Sequence, residues 1–291
     1  MGLTTQNLYK KSYSVSLPSE SKQSLGGGWS FRRNLIQGLQ DAGITVHDDW
    51  NKASIVLLTS STMVTSELVD KIKSSGKKII LRVDNLPRNS RNRNTGTSRL
   101  KRFASMADEI VYQCEWSQKY LSPFLDRHGH IIYNGVDTTI FNANGPWMND
   151  LSTYDVYLYS RYNRDETKNW EVAWYKYQLI HRENKNAALL LTGQFSPEQI
   201  EYNFDFYNGE RVIYLGVINT PQEMARVYRS SDYLMATYYN DCYSNTYQEA
   251  MACGVKLFEP DMSGGTPELI KNGPRSLKQM TDDYISLFER L

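Results

Sequence analysis

Short apolar runs of strand length alternate along this chain with longer stretches whose apolar residues recur at helical spacing. In the first half, 12–17 (SYSVSL) reads as a weak strand. A helix follows, with Phe31, Leu35, Ile36 and Leu39 on one face and Gly43 at its end. Strands are predicted at 44–47, 54–58 and 77–83, with a helix at 65–76 capped by Thr65 or Ser66. After a polar, basic stretch from 85 to 98 come a helix at 100–107, a strand at 109–114, a helix at 116–129 and a strand at 130–133. The second half repeats the alternation: strand 154–160, helix 170–183, strands 187–193 and 211–216, and a helix opened by Thr220-Pro221-Gln222-Glu223, a capping-box arrangement. Strand 233–238, helix 247–254, strand 255–258 and helix 276–291 complete the chain. Strands separated by helices imply parallel sheets with crossover connections. The Asn/Gly/Pro-rich stretch 142–150 between the halves reads either as a surface loop or as an interdomain linker.

Composition narrows the class. A hydrophobic share of 40% and a charged share of 22% describe a soluble globular chain, and 291 residues suffice for two domains. A net charge of +1 gives no global field for nucleic acid. Cys114, Cys242 and Cys253 cannot all pair and form no CxxC, which fits a reducing compartment. No apolar run reaches the roughly 20 residues of a membrane helix, and the N-terminus lacks a signal-peptide core. A cytoplasmic protein is expected. The 21 tyrosines have no explanation at this level.

The stretch 232–268 carries the candidate chemistry. It reads strand, polar loop, helix, strand, glycine turn, and the free N–H groups of such a helix start suit an anion. A βαβ unit without ligand has the same pattern. Asp241 and Glu249 stand eight residues apart, EAMACG occupies 249–254, and Gly264-Gly265 precede Thr266-Pro267-Glu268. This order resembles the nucleotide-sugar site of GT-B glycosyltransferases, family 4 in particular, with their E-x7-E and later GG-x-x-E; Asp241 stands where the first Glu is usual. A second, independent piece is Asn134-Gly135-Val136-Asp137 with Phe141, the order at which the family's first domain ends.

The resemblance implies an α/β protein with two Rossmann-like domains, a deep interdomain cleft and a C-terminal helix returning to the first domain. The boundaries it implies are an acceptor domain at 1–136, a nucleotide-sugar domain at 137–275 and the helix at 276–291. It implies sugar transfer from a nucleoside-diphosphate sugar to an acceptor hydroxyl, with retention. Cationic side chains and helix N-termini carry the diphosphate, with no metal and no cofactor. On that pattern Lys168 and Arg161 (or Arg164) neutralise the diphosphate, Ser244, Asn245 and Thr246 offer N–H groups, and Glu249 holds the ribose. Asp241 contacts the transferred sugar, and Gly27 and Gly28 let the backbone approach donor or acceptor. Asp84 stands about where the family has a His, placed to position or deprotonate the acceptor; a salt bridge to Arg82 or Arg88 is the alternative. His128 and His130 have no ligand context.

The basic stretch holds Arg88, Arg91, Arg93, Arg99, Lys101 and Arg102. It reads as a loop suited to an anionic acceptor, or as a solvated charge run. The acceptor expected first is a glycan. A base in DNA, bound through the 88–102 loop, is the alternative, as is a non-catalytic nucleotide-sugar-binding module.

Overall fold

The structure, a computed structural model, describes residues 13–20, 26–84, 93–161, 166–196 and 211–291, without the side chains of 93–95 and 166. The chain forms two compact units: 1–113, 118–133 and 277–291 in the first, and 114–117 with 134–276 in the second.

The first unit is a six-stranded parallel sheet. Its elements are β1 (Ser14–Ser16), α1 (Gly27–Asp41), β2 (Thr45–His47), β3 (Ile55–Leu58), α2 (Ser66–Ser74), β4 (Lys78–Val83), α3 (Arg93–Met106), β5 (Glu109–Tyr112), α4 (Glu115–Leu125) and β6 (His130–Ile131). Strand order is β2-β1-β3-β4-β5-β6, so the chain reverses direction across the sheet between β1 and β3. The strands alternate their apolar residues to two faces. Val56, Leu58, Ile79 and Leu81 join Val69 and Ile72 of α2, Leu100 and Phe103 of α3 and Leu121 of α4. Ile55, Leu57 and Ile80 join Leu35 and Leu39 of α1 and Met280, Tyr284 and Leu287 of the C-terminal helix α9 (Leu277–Phe288). That double coverage is why β3 and β4 read as unbroken apolar runs. Helices α1 and α9 approach closely at Gly38, where a Cβ would overlap Thr281 Oγ1.

The second unit is a five-stranded parallel sheet of order β11-β10-β7-β8-β9. Its elements are β7 (Asp155–Arg161), α5 (Trp170–Glu183), β8 (Ala187–Gly193), β9 (Val212–Tyr214), α6 (Pro221–Arg229), β10 (Tyr233–Met235), α7 (Asn245–Ala252), β11 (Lys256–Phe258) and α8 (Thr266–Asn272). Strand order reverses between β7 and β10. Buried phenols tie the framework: Tyr159 donates to Lys168 O (3.2 Å), Tyr177 to Ala187 O (3.2 Å), Tyr214 to Gly193 O (2.8 Å), and Tyr238 to Ser160 O. These four tyrosines fill apolar space while satisfying main-chain carbonyls, Tyr214 from a half-buried position.

Several local expectations hold. Thr65 caps α2 through Leu68 N (3.3 Å), Thr220 caps α6 through Glu223 N (3.2 Å), and Gly254 follows α7 at φ 88. Others need correction. The helix expected at 100–107 begins at Arg93, so 93–99 of the basic stretch is helix, not loop: weak helix formers such as Asn94, Thr95 and Gly96 are carried by docking of Leu100, Phe103 and Ala104 on the sheet. Gly27 and Gly28 lie in the first turn of α1; the turn itself is at Gly26, φ 109, whose carbonyl accepts from Trp29 N and Ser30 N. Strand β10 ends at Met235, three residues early. Among the described residues no helix is long and apolar enough to cross a membrane.

Candidate functional site

In an open parallel sheet, ligands bind beyond the carboxyl ends of the strands where strand order reverses. In the second unit that point lies between β7 and β10. Arg161 is the last residue of β7, and the following segment leads to Lys168. After β10 the chain passes through Asp241 into Ser244, the N-cap of α7. Arg161, Lys168, Asp241, Ser244, Asn245, Thr246 and Glu249 therefore share this unit, on the two connections that leave adjacent strands.

Lys168 Nζ lies 3.0 Å from Asp241 Oδ2 and 3.7 Å from the centre of the Tyr238 ring. Both members of the ion pair are about four-fifths buried, with 21% and 20% of their side chains exposed. Thr237 Oγ1 donates to Lys168 O (3.1 Å) and Tyr239 N to Thr167 O (3.1 Å), so the lysine's backbone is moored to the segment after β10. Arg161 is buried; its Nε donates to Gln194 O (2.9 Å), and its guanidinium lies 4.1 Å over the Phe195 ring. Gly193, at φ 109, is paired with Arg161 in the sheet, and a Cβ there would overlap Arg161 O.

The start of α7 is held on several sides. Ser244 Oγ accepts from Tyr247 N (3.4 Å). Asn134 Nδ2 donates to Tyr243 O (3.3 Å) and to Asn245 Oδ1 (3.0 Å), which gives the Asn of the Asn-Gly-Val-Asp stretch a supporting role. The rings of Tyr238 and Tyr247 stack at 4.9 Å, Tyr247 OH accepts from Tyr238 N (2.8 Å), and Thr246 hydrogen-bonds the Tyr238 hydroxyl. Burial raises the pKa of both phenols well above the ordinary value, so both stay neutral. The Gly264-Gly265 turn clamps the preceding loop: Gly265 N donates to Asp241 O (2.8 Å) and Ser263 Oγ accepts from Asn240 N (2.7 Å). A Cβ at Gly264 would overlap Asp241 O, and one at Gly265 would overlap Cys242 O. Glu268 takes the N–H groups of Glu115 (2.9 Å) and Trp116 (2.7 Å), residues of the same unit.

Glu249 sits mid-helix on α7, half-buried, and Oε2 accepts from the Tyr228 hydroxyl at 3.2 Å. Tyr228 escaped the sequence reading, since nothing in its neighbours along the chain points to Glu249.

The remaining candidates belong to the first unit or lie outside the description. Gly27 and Gly28 begin α1, which follows β1 at that sheet's own reversal point. Asp84 immediately follows β4, half-buried, its carbonyl accepting from Gln113 Nε2 (2.6 Å). Arg82 donates to Thr59 O (3.1 Å) and Gln113 Oε1 (2.7 Å) and lies 3.7 Å over Phe31. Arg88, Arg91 and the alternative Arg164 lie outside the described residues, and Arg93 is described in its backbone alone. Arg99 is on α3, as is Arg102, which pairs with Asp70 at 2.6 Å. His130 pairs with Glu109 (3.0 Å) across β5 and β6. Burial pushes the thiols of Cys114 and Cys253 up to about 11, and among the described residues no group of His, Cys, Asp and Glu could hold a metal ion.

With this geometry in place, the comparisons with known proteins are specific. The family described as "Glycosyl transferases group 1" matches residues 154–289. The fold is similar to Anabaena HepE solved in complex with UDP: 14% identity, 95% of this chain and 90% of that chain covered, TM-score 0.63. It is also similar to sucrose-phosphate synthase from Thermosynechococcus elongatus, at 15% identity, 95% and 90% coverage and TM-score 0.64. A third is alpha,alpha-trehalose 6-phosphate synthase from Burkholderia multivorans, at 14% identity, 87% and 66% coverage and TM-score 0.53. No curated protein matches the sequence. The fold is that of GT-B glycosyltransferases. Over residues 154–289 the chain is similar to the group 1 glycosyltransferases.

Proposed function

We propose that the protein transfers a glycosyl group from a nucleoside-diphosphate sugar to an acceptor hydroxyl on a glycan, with retention at the anomeric carbon. One observation carries this reading: Lys168, Asp241 and the capped start of α7 meet where strand order reverses between β7 and β10. An ammonium beside the N-terminus of a helix is suited to the charge that grows on a departing diphosphate. Arg161 braces the end of β7 beside it, and Ser244, Asn245 and Thr246 supply the N–H groups. Glu249, about one turn into α7, accepts from the ribose hydroxyls. Asp241 meets the transferred sugar, and its shorter side chain than Glu favours a different sugar or pose. Gly27, Gly28 and Asp84 serve donor approach and acceptor positioning, and the basic residues of 88–102 serve an anionic acceptor. No divalent metal is needed, because cationic side chains and N–H groups answer the diphosphate charge. UDP-sugars are the first donors to try, since HepE was solved with UDP and with UDP-glucose. We assign the activity to the cytoplasm, in keeping with three cysteines that form no disulfide.

Glu249→Gln tests the donor site. Gln is a comparable helix former, so the fold persists, while a charge-assisted hydrogen bond to ribose becomes a neutral one, costing about 1–3 kcal/mol of donor affinity. Unchanged calorimetric affinity in the folded variant removes Glu249 from the site. Hydrolysis of donor without acceptor by the unaltered protein separates an enzyme from a binding module.

A further inference from the structure

Glu249 does not stand alone. Tyr228, on α6, is 1% exposed, and its hydroxyl reaches Glu249 Oε2 on the neighbouring helix α7 at 3.2 Å. A phenol this deeply buried needs an acceptor, and a carboxylate is the strongest one available to it. Burial and the adjacent Glu249 charge raise the Tyr228 pKa well above the ordinary value, so the phenol keeps its proton and donates.

The phenol is itself fixed from behind. The Phe141 ring lies 6.0 Å from that of Tyr228. The next residue, Arg229, ties down the strap that carries Phe141: Nε donates to Pro146 O (2.9 Å), and one terminal nitrogen donates to Ile140 O and Asn142 O, both at 3.3 Å. Met148 N donates to Ser230 Oγ (2.7 Å) at the end of the same strap. A rigid donor thus meets one oxygen of a half-buried carboxylate, which sets the carboxylate's rotation about its last side-chain bond.

We propose that Tyr228 is a positioning residue for nucleotide binding: by holding Glu249 Oε2 it orients the carboxylate toward the ribose diol. This rests on the donor reading of Glu249 given above. At 1% exposure Tyr228 is shielded from direct contact with a nucleotide, so its effect would pass through Glu249 to the ribose hydroxyls.

The test uses the full chain with UDP and 2′,3′-dideoxy-UDP as probes. Tyr228→Phe keeps the ring and its packing and removes only the hydroxyl. The expected result is UDP binding weaker by about tenfold, the worth of a hydrogen bond to a charged group, with dideoxy-UDP binding unchanged. In Tyr228→Phe/Glu249→Gln, UDP should bind no more weakly than in Glu249→Gln alone. Equal weakening for both nucleotides, additive effects in the double variant, or unchanged UDP affinity would each overturn the positioning role. If Glu249→Gln itself leaves UDP affinity intact, the donor reading fails and the role of Tyr228 falls with it. A weakened Glu249→Gln beside an unaffected Tyr228→Phe rejects Tyr228 and keeps the donor site. Should Tyr228→Phe not fold, Phe141→Leu loosens the phenol from the other side and must show the same preference for UDP over dideoxy-UDP in its loss, or the proposal is rejected.

Discussion

Asp241→Asn should separate two effects that the Lys168–Asp241 pair now combines. At 3.0 Å the Coulomb attraction is about 5 kcal/mol at an effective dielectric constant of 20 and about 1 kcal/mol in bulk water. Each side chain keeps about a fifth of its surface exposed, and both charges have been largely desolvated. The net contribution is therefore near the lower figure, about 1–2 kcal/mol. The Tyr238 ring, 3.7 Å from Nζ, still holds the ammonium after the substitution. Thermal unfolding should fall by roughly 2–6 °C. Free UDP should nevertheless bind about five- to tenfold more tightly. Its diphosphate would meet an ammonium no longer paired, and it would lose a carboxylate that repels each phosphate charge by roughly 1 kcal/mol at about 4 Å in water. On the role proposed for Asp241, turnover of the sugar nucleotide should drop, because the contact to the transferred sugar goes with the carboxylate. Calorimetry at low and high ionic strength, beside a transfer assay, reads all three. The gain in UDP affinity should shrink as salt rises. A folded variant that binds UDP no better than the parent at low salt would refute this electrostatic account of the site.

Gly265→Ala should destabilise by about 1–3 kcal/mol in a urea titration, since its Cβ overlaps Cys242 O and stands 3.0 Å from Cys114 Sγ; unchanged stability would mean that the turn gives freely. Transfer assayed after exhaustive chelation should persist, and complete loss restored by magnesium or manganese would count against charge neutralisation by Lys168 and α7. Neutralising Arg91, Arg93 and Arg99 together should raise the acceptor KM and leave donor affinity alone. If duplex DNA is the acceptor, the same variant flattens the log–log salt dependence of binding by roughly three units, and if the acceptor is a neutral sugar it behaves as the parent does.

What the sequence disclosed was local. The caps at Thr65 and Thr220, Gly254 after α7, and the apolar runs of β3 and β4 each rest on residues a few positions apart, where chemistry and spacing act directly. The donor-site candidates were legible because their motif is compact, from Asp241 to Glu249. Which residues pair with which was not: Lys168 meets Asp241 from 73 positions away, Tyr238 reaches Ser160 across 78, and Asn134 reaches Asn245 across 111. Such pairs exist only after the chain has folded, the first two once the sheet has set β7 beside β10. The start of α3 was misread for a related reason. Asn94 to Ser98 have poor helix propensity, and burial further along the same helix decides their conformation.

The phenol-to-carbonyl ties of the second unit bear on how the protein answers its solvent. Tyr159, Tyr177, Tyr214 and Tyr238 hold backbone segments with uncharged groups, and the Tyr238 and Tyr247 protons are retained well beyond neutral pH. Dissolved ions screen charges and leave such bonds alone. Ionic strength thus acts on Lys168 and Asp241 while the frame around them stays put. For this protein a salt titration is a selective instrument: what it changes is the charge pair of Lys168 and Asp241, not the phenol ties around it.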